Sequence, residues 1–460
     1  MSNLSIETKQ HWLLEKFFSY CNNVVVIQEN KKYTYSDLLS LIVSQKEYLS
    51  RNNVKEGEIV VVFSNYSFIS IGLFLTLMFN RNIIVPIVTK IKTEAEERLR
   101  EAYVDKKIFI HGNDIKTVAL SDKRTKHPII NQLQNNRNAG LILFSSGSTG
   151  KPKAMVHNLD NLLTVYKNKK LKKLNILIFL TFDHIGGLNT LLNALSMGSS
   201  IIIPDRRDPD YICSLIEKYE INVLPTSPTF LNLILISNAH TRYNLDSLRM
   251  ITYGTETMPE SLLHRLKNVF SKAKLLQTFG TSETGIAQTS SKTSNSTLMK
   301  IDDPNLEYKI VEGELWLKSK TQTLGYLNYK MDSFTEDGWF KTGDMVRATE
   351  DGYLKIIGRN KEIINVGGEK VLPSEVESAL FLMPEIVDCM VYGEKNVITG
   401  QIVVADVVLK ADTDIKNLKY KIRNFCGDKL ESYKIPIKIN IVGSTNFGNR
   451  YKKIRRDKKV

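Results

Sequence analysis

Short apolar runs rich in β-branched residues alternate with amphipathic stretches along most of this 460-residue chain. Ile59–Phe63, Ile83–Ile87, Leu141–Phe144, Ile176–Leu180 and Ile201–Ile203 are the clearest runs, each bounded by polar or helical-looking segments. Such alternation predicts an α/β fold with largely parallel sheets. Near Glu312 the rhythm changes. Glu314–Lys318 and Tyr353–Ile357 read as shorter strands joined by turns, which predicts a small antiparallel, barrel-like subdomain. After Lys361 comes material for a small α+β lobe of about 100 residues. It holds a helix over Ser374–Leu380 with Ser374 as its N-cap and early carboxylates, a strand over Ile402–Val408, and a helix over Ile415–Leu430. The expected division is a large domain over 1–360 and a mobile lobe over 361–460, with a charged hinge at Arg359–Glu362.

With 42% hydrophobic and 24% charged residues, the chain has the balance of a globular protein rather than a disordered one. The formal charge of +14 attracts anions, and nucleic acid, ATP, pyrophosphate and coenzyme A all qualify. The densest basic run, Arg450 to Lys459, reads as a solvated tail with no nucleic-acid-binding motif around it, so no nucleic-acid partner is expected. Cys21, Cys213, Cys389 and Cys426 are scattered, form no CxxC pair and have no histidine at metal-ligand spacing. Reduced thiols of a cytoplasmic protein are the simplest account. The N-terminus carries no apolar signal core followed by a cleavage site. The most apolar stretch, Ile71–Phe79, runs into Asn80, Arg81 and Asn82 and is too short to span a bilayer, so no transmembrane segment is expected.

Chemistry enters at Phe144-Ser-Ser-Gly-Ser-Thr-Gly-Lys-Pro-Lys153. The segment follows an apolar strand. Gly147 and Gly150 permit tight turns and expose backbone N–H groups. The hydroxyls of Ser145, Ser146, Ser148 and Thr149 add donors, and Lys151 and Lys153 add positive charge. This composition suits a phosphate cradle. It is not a Walker loop, because the GxxxxGK[ST] spacing is missing.

The segment resembles the phosphate loop of the adenylate-forming superfamily, which includes acyl-CoA synthetases, nonribosomal adenylation domains and luciferases. Ala154 stands where that loop usually ends in glycine. Further segments resemble the same family. Tyr253-Gly254-Thr255-Glu256 is similar to the stretch whose backbone packs on adenine. Gln277-Thr-Phe-Gly-Thr-Ser-Glu-Thr-Gly285 is similar to its Y-G-x-T-E motif; Phe279 would stack on adenine, flanked by Gly280 and Thr281, and Glu283 would bind Mg²⁺. Gly338-Trp-Phe-Lys-Thr-Gly-Asp344 implies that Asp344 holds the ribose hydroxyls. Gly358 to Glu369 resembles the domain junction: Arg359 would contact ribose or phosphate, Lys361 would be the hinge, and Gly367-Gly368 would let a pantetheine arm pass close to the backbone. Tyr33–Leu38 and Gly57–Phe63 match more generally, so the resemblance spans nearly the whole chain.

The family's adenylation lysine sits in a G-K-[IV]-x-R context near the C-terminus. Here the matching stretch is Asn449-Arg-Tyr-Lys-Lys-Ile-Arg-Arg456. Lys453 fits by the following Ile454 and Arg456, with Lys452 in place of the glycine. Lys452 is the rival.

The resemblance implies two steps. A carboxylate attacks the α-phosphorus of Mg-ATP, giving an acyl adenylate and pyrophosphate. The thiol of CoA, or of phosphopantetheine on an acyl carrier protein, then displaces AMP. A rotation of the small lobe between the steps is expected. For the acyl pocket, Leu180-Thr-Phe-Asp-His-Ile-Gly-Gly-Leu188 matches the segment where an aromatic or histidine gates the substrate, with His184 in that place; a helix-start histidine merely packed in position is the plainer reading. Phe230 and Leu231 would supply an apolar wall, which favours a small-molecule acyl or aryl acid. Asp183 leaves open an amino-acid-activating enzyme that loads a carrier, in which that carboxylate would hold the ammonium. A non-catalytic nucleotide-binding relative is favoured only by the altered Lys453 context.

Overall fold

The computed structural model describes residues 11–120, 124–146, 151–411, 413–448 and 451–455. Two seven-stranded sheets form the body of the molecule. In the first, Lys274–Gln277, Met250–Tyr253, Val223–Thr226, Asn175–Leu177, Ser200–Ile202 and Val24–Gln28 run parallel in that order, and Lys31–Thr34 closes one edge antiparallel. In the second, Gly140–Ser146, Ile83–Ile87, Ile59–Phe63 and Lys106–His111 are parallel. Antiparallel strands finish both edges of that sheet. The expected α/β architecture is therefore present, with antiparallel pairing confined to the edges.

One apolar core joins residues of both sheets, among them Val26, Ile176, Val60 and Leu141, to helices lying between them. The run Ile71–Phe79 is explained here. It belongs to the helix Phe68–Phe79, which is buried along nearly all its length and is N-capped by a reciprocal Ser67–Ser70 pair. Among the described residues, no helix is long and apolar enough to cross a membrane.

Past Ala287 the chain builds the antiparallel unit anticipated near Glu312. Six strands, Thr289–Ser291, Leu298–Ile301, Leu354–Arg359, Phe340–Ala348, Glu314–Ser319 and Leu306–Val311, pair in that order. A C-terminal unit follows, with its own apolar core. The long hairpin Ile386–Asn396 with Gly400–Leu409 is its backbone, and the helices Pro373–Leu380 and Leu418–Gly427 cover it.

Ser374 is not the N-cap. Pro373 occupies the first turn, where its fixed φ starts the helix, and Leu372 precedes it in extended conformation. The Ser374 hydroxyl instead donates to the Ile357 carbonyl, tying the C-terminal unit to the last strand of the antiparallel sheet.

Candidate active site

A cavity of about 780 Å³ opens beyond the C-terminal ends of the parallel strands Val223–Thr226, Met250–Tyr253 and Lys274–Gln277. Ligand sites of open α/β sheets lie at such ends, because the loops there are free to vary while the strands hold them. Gly254 and Thr255 leave one strand and Phe279 follows another, so both adenine-type segments reach the cavity wall together. Phe279 is almost wholly buried in the short ladder Phe279–Thr281 with Gly285–Ala287, and Gly280 and Thr281 line the cavity beside it. A side chain at Gly280 would place its Cβ 2.5 Å from the Gly285 carbonyl, so the two strands meet here only through glycine.

Four residues of the phosphate-cradle segment, Gly147, Ser148, Thr149 and Gly150, lie outside the described residues, as does the side chain of Ser146. The flanks are described. Ser145 and Lys153 face each other across the antiparallel hairpin and both line the cavity. The Lys151 carbonyl accepts from the Tyr329 hydroxyl, and the Lys153 ammonium lies 5.2 Å from the Tyr329 ring and 5.5 Å from the Tyr326 ring. Tyr326 in turn donates to Glu283 Oε1 at 3.1 Å. The turn that carries Glu283 is held by the Thr284 amide on Thr281 Oγ1 and by the Thr323 amide on the Glu283 carbonyl at 2.7 Å. Among the described residues there is no cluster of three or more metal-binding side chains. Glu283, which faces the cavity, suits Mg²⁺ that takes its remaining ligands from phosphates and water.

Asp344 and Arg359 stand opposite each other on paired strands, with Arg359 Nε donating to Asp344 Oδ1 at 2.9 Å. Burial pushes the Asp344 carboxyl above the usual carboxylate range, against the opposing pull of Arg359 and Lys452. Glu256 lies nearby, half-buried with its Oε1 shielded from solvent, and takes one hydrogen bond from Thr229 Oγ1 to Oε2 at 2.7 Å. Burial raises its pKa to about 7, although Thr229, Lys453 and Lys452 all act to lower it.

The two terminal lysines part company. Lys452 lines both the large cavity and a contiguous one of about 90 Å³ that holds Glu256 and Asp344. Burial and Arg359 lower its pKa, while Glu256, Glu362 and Asp344 pull the other way. Lys453 lines only the smaller cavity, and its ammonium donates to the Cys389 carbonyl and lies 2.9 Å from Asp388 Oδ1. Burial works against its charge, but Asp388 and Glu377 outweigh it and hold the ammonium pKa above its ordinary value. Arg455 pins the tail beyond, with contacts to Glu362 at 2.8 Å and to Glu377 at 2.7 Å. Arg456, the arginine of the Lys453 alignment, lies outside the described residues; Arg455 is the arginine three positions after Lys452.

His184 caps the helix Ile185–Ser196, with Nδ1 accepting from the Gly186 amide at 3.0 Å, and its ring also lines the cavity. Capping and lining thus coexist. Asp183 faces away from the cavity: Thr181 Oγ1 donates to it at 2.7 Å and Arg98 Nη1 lies at 3.1 Å. Lys361 reaches the cavity from the turn Asn360–Glu362. Gly367 and Gly368 are not brought in. They form an exposed turn at φ +60° and +97°, where an added Cβ would meet nothing within 4 Å.

The AMP-binding enzyme family matches residues 15–327, and the C-terminal domain of AMP-binding enzymes matches residues 375–446. The 2-succinylbenzoate–CoA ligase of Bacillus cytotoxicus is 24% identical over 468 residues, covering 94% of each chain. A probable CoA ligase of Humulus lupulus is 28% identical over 373 residues, covering 74% of this chain and 67% of its own. Among solved structures, an anthranilate CoA ligase in complex with anthranoyl-AMP superposes with a TM-score of 0.80 at 20% identity, covering 96% of this chain and 94% of that one. The o-succinylbenzoate CoA synthetase of Bacillus subtilis, in complex with its acyl-adenylate intermediate, superposes with a TM-score of 0.75 at 20% identity over 98% of both chains. With the family match running through most of the large domain and again through the C-terminal unit, the chain belongs to the AMP-binding enzymes.

Proposed function

We propose that the chain is an AMP-forming acid–thiol ligase that activates a small aryl or acyl acid and transfers it to CoA. The observation that carries this reading is the convergence of Lys452, Glu283, Arg359 and Phe279 on one cavity, with Asp344 beside it. In the first step a carboxylate oxygen attacks the α-phosphorus of ATP, the bond to the β-phosphate oxygen breaks, and pyrophosphate leaves. Lys452 stabilises the charge that builds on the α-phosphoryl oxygens, where a fixed cation in a shielded site is most effective. Asp344 accepts hydrogen bonds from the ribose hydroxyls, Arg359 holds that carboxylate, and Phe279 lies against adenine. Glu283, oriented by Tyr326, would hold Mg²⁺, which lowers the charge of the phosphates when bound.

In the second step the thiolate attacks the acyl carbon and the bond to the AMP oxygen breaks. The exposed Gly367–Gly368 turn is the surface assigned to the pantetheine arm, reached when the C-terminal unit swings about Lys361.

The acid would lie between Leu180, His184, Ile185 and Ile286. His184 uses Nδ1 as an acceptor, so its Nε2 carries the proton in the neutral ring, and the residue lines the pocket where the acid would lie. An aryl acid fits relatives whose names specify 2-succinylbenzoate and anthranilate. An ammonium-bearing acid fits less well, because Asp183 is committed to Thr181 and Arg98. Four free cysteines, three of them buried, accord with a cytoplasmic setting.

The test is carboxylate-dependent ATP–pyrophosphate exchange with aryl, fatty and amino acids, followed by thioester formation with CoA or with a phosphopantetheinylated carrier protein. Exchange with an aryl acid and transfer to CoA is expected. Exchange with amino acids alone would overturn the substrate class, transfer only to the carrier would overturn the acceptor, and no exchange with any acid would overturn the reading.

A further inference from the structure

Tyr451, the residue immediately before Lys452, has a left-handed backbone with φ +50°. L side chains resist that conformation, and it persists only where surrounding contacts determine it. Some of those contacts lie within the tail, where the Tyr451 amide donates to the Gly448 carbonyl at 2.8 Å, and the rest cross into the large domain. The ring sits edge-on to Phe230, with centroids 5.0 Å apart, and lies 5.4 Å from Phe179. Both phenylalanines are buried core residues of the first sheet's apolar cluster. On the tail side, Phe447 stacks on the same ring at 5.5 Å. The Tyr451 hydroxyl donates to the Arg207 carbonyl. Its own carbonyl accepts from Ser227 Oγ at 2.7 Å, and Ser227 is also the N-cap of the helix Pro228–Ile236.

The large domain therefore holds Tyr451 at its ring, its hydroxyl and its carbonyl. A second, smaller link lies close by, where Asn232 Nδ2 donates to the Val387 carbonyl at 2.9 Å. The next residue along the tail is the lysine that faces the nucleotide cavity. Holding the peptide on one side of Lys452 to a rigid helix start limits where its ammonium can go, and small errors of placement are costly in such sites.

We propose that Tyr451 is a positioning residue for adenylate formation: a latch that docks in the socket of Phe179, Phe230 and Arg207, sets Lys452 over the cavity, and leaves the socket before the thiol step. The proposal rests on the reading of Lys452 as the adenylation lysine. It also accounts for a tyrosine being used at a left-handed position, since the ring supplies docking contacts that glycine could not.

The test separates the two half-reactions in Tyr451→Ala, Tyr451→Gly, Tyr451→Phe and Lys452→Ala. The acid is whichever one gives exchange in the unaltered chain. Adenylate formation is followed as pyrophosphate release without thiol, and thiolation as thioester formed from CoA and supplied acyl adenylate. Tyr451→Ala and Tyr451→Gly should both slow adenylate formation roughly ten- to a hundredfold while thiolation is unchanged or faster. Tyr451→Phe, which keeps the ring, should lie between them and the unaltered chain. If Tyr451→Gly were as fast as the unaltered chain, the ring would not be a latch. An equal fall in both half-reactions would make Tyr451 a structural residue and overturn the proposal. Normal adenylation in Tyr451→Ala with a dead Lys452→Ala would overturn the latch alone, whereas an active Lys452→Ala would overturn the lysine assignment beneath it.

Discussion

Lys453 and Asp388 form an ion pair at 2.9 Å, both shielded from solvent, while the neighbouring Lys452 lines the larger cavity. Lys453 is bridged to Phe447 within the tail, and both lysines line the smaller cavity. The Thr445 hydroxyl donates to the other Asp388 oxygen, and Arg265 adds a further attraction to the same carboxylate.

The two lysines should therefore fail differently. Lys452→Ala is expected to cut ATP–pyrophosphate exchange by about a hundredfold or more, the cost of losing a preorganised charge at a transition state. Lys453→Ala should leave a buried carboxylate without its cation and lower stability by about 3–5 kcal/mol, with exchange per folded molecule much less affected. Urea unfolding and exchange measured on the same preparations check both. A dead but fully stable Lys453→Ala would contradict the assignment.

Tyr326 orients Glu283 through one hydrogen bond, and the hydroxyl is the only atom removed in Tyr326→Phe. Released from that bond, Glu283 should bind Mg²⁺ less well, and the Mg²⁺ concentration for half-maximal exchange should rise several-fold, the loss of about 1 kcal/mol. Glu283→Gln should raise it much further. A magnesium titration of exchange rate reads both, and an unmoved titration in Glu283→Gln would remove this carboxylate from the metal's ligands.

Glu256 gives stability a pH dependence of known sign. Its folded pKa is about 7 against an ordinary value of 4.5, so the folded chain holds this proton more tightly than the unfolded chain does. The contribution is fully present below about pH 4.5 and is lost as pH rises through 7, on the order of 2–3 kcal/mol in all. Glu256→Gln, which cannot ionise, should gain stability relative to the unaltered chain as pH rises from 5 to 7.5. Thermal melts across that range test it, and parallel curves for the two proteins would show that Glu256 does not titrate there.

Gly368 at φ +97° carries a prediction for the second half-reaction alone. Gly368→Val should slow thioester formation at least tenfold, by blocking the arm's approach and straining the turn. Pyrophosphate exchange should stay near normal, because the turn lies away from the cavity. Loss of exchange instead would mean that the turn acts in the first step.

Much of this protein was legible without coordinates. Alternating apolar runs are set by local residue choice, so the parallel sheets and the change to antiparallel strands near Glu312 could be read directly. Phe279, Glu283, Asp344 and Arg359 could be picked out because each lies in a short segment of recognisable order, and all four meet at or beside the cavity. What failed to show were relationships between distant residues. Local context favoured Lys453 with Lys452 as its rival, and the pairing of Lys453 with the Asp388 carboxylate, far off in the chain, is what separates them. Asp183 could stand for an ammonium site until Arg98 is seen against it. The Ser374 hydroxyl suited a helix cap until the Ile357 carbonyl took it. Nothing near Tyr451 in the sequence announces Phe179, Phe230 or Ser227. The sequence by itself determined the kinds of element and the chemical groups at hand, since both follow from neighbouring residues. The tertiary structure alone decided which group faces the cavity, because burial and pairing of charge depend on contacts that local order does not encode.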